Sequence, residues 1–232
     1  MWTSVRRDAS ASVEGSDPIG GAMTAPAGMP PATVRMMSAN VLSIANGRHD
    51  QCVDDAVHVR LDDALMTAPI RLSGRWRWVE MTNARIIGPT VDGPMVECAA
   101  LRMRSAHLVG DVRCDDLQLC PNSTIRGNVS VAESPCSFSM EGKIDGELSH
   151  FGNDTIDGQV RTLKLLQRGS SPFPVYLGPR AVVGTLIAPA GAIVGMHPQA
   201  QLDSCPAGVR IMSLDKARRE FDRLFPPQPE AE

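Results

Sequence analysis

Short runs in which apolar and polar residues alternate with period two recur along this chain. Val57-His58-Val59-Arg60-Leu61 is one such run, and Arg75-Trp76-Arg77-Trp78-Val79 is another. Period two is the signal of a half-buried strand, with one face inward and the other in solvent. In the second run Trp76 and Trp78 share a face, with Arg75 and Arg77 opposite.

The centre of the chain carries a repeated unit: aliphatic, any residue, Gly, polar, aliphatic. Its copies are Leu108-Val109-Gly110-Asp111-Val112, Ile125-Arg126-Gly127-Asn128-Val129, Ile144-Asp145-Gly146-Glu147-Leu148, Ile156-Asp157-Gly158-Gln159-Val160 and Val182-Val183-Gly184-Thr185-Leu186. Degenerate copies lie at Ile86-Ile87-Gly88 and Ile193-Val194-Gly195. In an extended chain the two aliphatic positions and the glycine point one way, and the intervening positions point the other. The glycine would leave room at a crowded bend. Stacking the copies predicts inner rows of Leu108, Ile125 and Ile144 and of Val112, Val129 and Leu148. It also predicts an outer row of Asp111, Asn128 and Glu147. Glycines 110, 127 and 146 are 17 and 19 residues apart, while 146 to 158 and 184 to 195 are 12 and 11. A three-sided coil of about 18 residues explains both groups, as one turn or two sides, and regular self-similarity marks a solenoid. The wider gap between Gly158 and Gly184 contains Gln167 to Pro174, which reads as a loop pushed out of a coil.

One helix is predicted, over Ser213 to Phe225. Ser213 suits an N-cap, Leu214, Ala217, Phe221, Leu224 and Phe225 form an apolar stripe, and Pro226-Pro227 stops it. A helix folded over an open solenoid end would cover a bare strand edge. Of residues 1–33, 21 are Ala, Ser, Thr, Gly or Pro, too little apolar surface to offset ordering entropy. The expected fold is therefore all-β and single-domain: a disordered arm over 1–35, a parallel β-helix over 36–210, and a capping helix with tail over 211–232. Met23 and Met36 offer alternative starts to Met1.

Composition narrows the chemistry. Apolar residues make up 43% and aromatics only 4%, so the core must be aliphatic. Net charge is −3 and no basic tract is present, which argues against nucleic acid. No run approaches the ~18 apolar residues of a membrane span. The start lacks the apolar stretch of a cleavable signal. The six cysteines form no C-x-x-C pair and read as free thiols in a reducing compartment.

The glycine units at 125–129, 144–148 and 156–160, with their flanking Val- and Leu-rich strands, resemble those of the bactofilins, bacterial polymer-forming cytoskeletal proteins. The resemblance covers roughly residues 105–197. It implies a β-helix that joins end to end into filaments, and it brings no catalytic residue. The less repetitive stretch 34–104 and the C-terminal helix depart from that family's pattern.

β-helix enzymes place carboxylates on adjacent coils for acid and base work. Asp111, Asp115, Asp116, Asp145, Glu147 and Asp157 are the candidates here. Asp145 and Asp157 are two sides apart, not one turn, and Arg126 stands one turn before Asp145, where a salt-bridged rung is the blander account. No phosphate-binding loop, nucleophile elbow or H-E-x-x-H motif occurs, so no catalytic residue, cofactor or metal is expected. Four aromatics are candidate partner contacts: Phe173 and Tyr176 in the inserted loop, and Trp76 and Trp78 in the early strand. The alternative for each pair is burial against the solenoid. The expected function is a non-catalytic structural scaffold or self-assembling protein of the bacterial cytoplasm, working through self-association or a protein partner. The rivals are a bacterial effector exported without a cleavable signal and a β-helix carbohydrate-active enzyme.

Overall fold

A computed structural model describes residues 28–38, 41–54, 58–73, 77–88, 93–132, 138–152, 154–167 and 174–224. The chain is a β-solenoid of about eight turns followed by one helix. Its strands fall on three faces. Face A begins with Val41–Ala45, His58–Asp62 and Trp78–Thr82 and ends with Val175–Leu177, Ile193–Met196 and Arg210–Ser213. Face B carries Arg48–His49, Leu65–Met66, Arg85–Ile87, His107–Val109 and Thr124–Arg126. Face C carries Val53–Asp54, Ile70–Arg71, the first part of Val96–Arg104 and Val129–Val131. Successive turns pair in parallel throughout. The exception is the first strand, Thr33–Ser38, which lies antiparallel on Val41–Ala45. Residues 33–35, expected in the disordered arm, therefore belong to the solenoid.

Stacking turns puts like residues on like. On face A one inward row runs Val34, Ile44, Leu61, Met81, Met103, Leu119, Met140, Ile156, Leu177, Met196 and Ser213. Between its ends this row is buried almost without a break. The predicted rows through Leu108, Ile125 and Ile144 and through Val112, Val129 and Leu148 are both present in register. The largest fully buried side chains are Ile, Leu and Met, as the scarcity of aromatics required. Each inward residue packs on its counterpart one turn away, so a thin aliphatic core suffices.

The glycine of the repeat serves a different purpose from the one its sequence suggests. A Cβ on Gly127 would land on the Gly110 carbonyl, and one on Gly146 would land on the Gly127 carbonyl. The crowding is therefore between neighbouring turns at the corner, not in the interior. The polar residue after the glycine completes the corner. Asp111 Oδ1 accepts the Asn128 N–H at 2.7 Å, and Asn128 Oδ1 accepts the Glu147 N–H at 3.0 Å. Each side chain satisfies a backbone donor of the next turn.

The helix spans Leu214–Leu224, close to the predicted limits, with Phe225 outside the described residues. It packs on the outer flank of face A, where Tyr176, Gly195 and Met212 form an outward row. Ala217 is fully buried with Tyr176 and Ile193. A Cβ on Gly195 would come 2.8 Å from the Ala217 Cβ, so glycine is what lets the helix sit this close. The expectation that the helix lies over the solenoid end is corrected. The helix follows the last strand without a linker and covers an apolar outer row, leaving the inward Ile211 of that strand 50% exposed.

Candidate self-association surfaces at the solenoid ends

The exposed large apolar side chains collect at the two ends. Met29, Val34, Met36 and Met37 lie on or beside the first strand, Ile211 lies on the last strand, and Leu224 closes the helix; Ile187, on the outside of a late turn, completes the set among the described residues. The reason is the stacking itself. Val34 and Met36 belong to inward rows, no earlier turn covers them among the described residues, and Met36 is 62% exposed. Ile211 continues the inward row of Val175 and Val194, with no later turn beyond it among the described residues. Among the described residues, no second strand pairs with Thr33–Ser38 beyond Val41–Ala45 or with Arg210–Ser213 beyond Ile193–Met196. Each end thus offers aliphatic row ends on a strand that no described strand covers, the combination that recruits another strand.

The expected contact aromatics are distributed otherwise. Tyr176 is only 7% exposed, beneath the helix, with the Arg218 guanidinium 5.8 Å from its ring centre. Burial pushes the Tyr176 hydroxyl above its ordinary pKa. As a free partner contact it is corrected to a helix anchor. Trp78 lies on the outer face of face A, half-covered, with His58 edge-on at 4.8 Å and Arg102 5.6 Å from its ring centre. Burial lowers the His58 pKa. Phe173 and Trp76 lie outside the described residues.

Of the carboxylate candidates, Asp111, Asp145, Glu147 and Asp157 are held in ion pairs or hydrogen bonds. Glu147 accepts from the Ser149 hydroxyl at 2.8 Å and from Lys164 at 3.2 Å, and these donors keep its carboxyl below the usual range. Asp145 pairs with Lys143 at 2.9 Å and, as the spacing suggested, with Arg126 at 4.0 Å. Asp157 stands at the corner between faces A and B, one turn from Glu141. Arg180 bridges the two, with Nη2 2.7 Å from each carboxylate. This adjacent-turn pair is the arrangement acid–base catalysis would need, but a guanidinium occupies it.

Sequence reasoning missed an interior polar pair. His150 is fully buried, its ring stacked on Phe138 at 5.2 Å. Its Nδ1 accepts the Gly152 N–H at 3.2 Å and lies 3.4 Å from Asp154 Oδ2. Among the described residues nothing hydrogen-bonds Nε2. The alternation of Leu148, Ser149 and His150 was the available signal. The two ends were missed as well, although Val34-Arg35-Met36 also alternates.

Among the described residues, no helix is long and apolar enough to cross a membrane, and no metal-binding group of His, Cys, Asp or Glu occurs. No family model, curated protein or solved structure matches the chain.

Proposed function

We propose that this protein is a non-catalytic scaffold that associates with copies of itself through the ends of its solenoid. The observation that carries the reading is the coincidence, at both ends, of exposed inward-row residues with strands that no further described strand covers. Val34, Met36 and Ile211 are row members awaiting a further turn, and a second copy supplies one. The likeness of the glycine units to those of bactofilins points the same way. The ion-paired carboxylates support a non-catalytic role, since Arg180 holds the adjacent-turn carboxylates Glu141 and Asp157.

Negative-stain electron microscopy of the full chain over a concentration series tests this. Particles that lengthen along one axis as concentration rises are the expected result. Single compact particles at every concentration would overturn the reading.

A further inference from the structure

We infer that each end docks on the opposite end of a second copy, so that the chain associates head to tail with one polarity. This rests on the reading of the ends as self-association surfaces and adds which end meets which.

Face A decides the matter because it runs the whole length of the molecule. The same two inward rows emerge at both of its ends. One terminates in Val34 and Ser213, the other in Met36 and Ile211. The first strand runs antiparallel to every other strand of the face. Laying the last strand of one copy on the first strand of the next continues both rows in register. Ile211 then meets Met36, apolar on apolar, and Ser213 meets Val34, small on large. The first strand would lie between two strands of the same direction, its own Val41–Ala45 on one side and the neighbour's Arg210–Ser213 on the other.

The symmetric alternatives fit less well. A two-fold pairing of first strands about Arg35 sets that arginine directly opposite its copy, and like charges so placed are destabilising. It also leaves Ile211 and Leu224 uncovered. A two-fold pairing of last strands leaves Met29, Val34, Met36 and Met37 uncovered. The head-to-tail contact places both sets at one interface. It sets Arg35 opposite Met212, beside the helix that carries Asp215 in its first turn. Such a contact is heterologous and need not close, so repetition gives an open filament.

Cysteine cross-linking reads the polarity. Met36→Cys and Ile211→Cys are made separately in a full chain carrying Cys52→Ser, Cys120→Ser, Cys136→Ser and Cys205→Ser, which leaves the buried Cys98 and Cys114 as its native thiols. One variant carries a mass tag. Both substituted positions are exposed, and far-UV circular dichroism checks that the fold is retained. Under mild oxidation the expected product is a tagged–untagged disulfide dimer in the mixture, lost when either variant is oxidised alone. Dimers from Met36→Cys alone, or from Ile211→Cys alone, would overturn the polarity while leaving self-association standing. No cross-link from any sample, with every sample monomeric by light scattering, would overturn both.

Discussion

The early and late turns of this solenoid reach the same coil by different corner chemistry. In the early turns the corner from face A to face B is made by Asn46, Asp63, Asn83, Ser105 and Asn122, each with φ between 48° and 63°. Asn and Asp tolerate this left-handed region because their short side chains bond the local backbone. The residue that follows is small: Gly47, Ala64, Ala84, Ala106 or Ser123. All five are buried. In later turns the corner passes to Gly142 and Gly158, where a Cβ would strike backbone of the preceding turn. The corner between faces B and C uses glycine in the same way at 127 and 146. One set of corners is specified by a backbone angle and the other by contact between turns.

The difference can be broken from either side, and the largest effect belongs to the contact-limited corners. Gly146→Ala drives a methyl group into the Gly127 carbonyl, a backbone group with little room to yield. A loss of about 3 kcal/mol is expected in urea denaturation. Behind the early corners, Ala84→Leu should cost about 2 kcal/mol by the same assay, because the site is fully enclosed and the extra volume must displace the core. Asn128→Ala removes the acceptor for the Glu147 N–H and should cost about 1 kcal/mol. Asn83→Ala should also cost about 1 kcal/mol, whereas Asn83→Gly should stay within a few tenths, since only alanine is strained at that φ. Equal effects for these last two substitutions would show that the side chain, not the angle, matters there.

The smallest effect is electrostatic. Glu147 has its folded-state pKa lowered by Ser149 and Lys164. Its contribution is therefore present above the unfolded value and lost as pH falls through the folded one. The gap in thermal midpoint between the wild type and Glu147→Gln should narrow from pH 6 to pH 3. The partly exposed pair limits the stability difference behind that gap to under about 0.5 kcal/mol.

This contrast also explains what could be read from the sequence. Glycine corners repeat a recognisable five-residue unit, so the rows through Ile125 and Val129 were legible before the structure. Left-handed corners built from Asn, Asp or Ser share no single residue, and their turns differ in length: paired strands of face A start at Val41, His58 and Trp78. The early coils therefore looked only vaguely repetitive although they stack as regularly. The helix was legible from its stripe, but its seat was not, because Gly195 and Tyr176 become neighbours only after a full turn is wound. The solenoid ends were hidden for a related reason. Val34, Met36 and Ile211 look like ordinary strand residues, and only their place on the outermost described strands exposes them.

Sedimentation velocity across a concentration series, on the wild type and on a Met36→Lys, Ile211→Lys double variant, tests the central claim most directly. The account predicts that the wild-type weight-average mass climbs with concentration and that the double variant, with its fold intact, stays monomeric. A wild type that remains monomeric throughout, or a double variant that associates equally well, would contradict it.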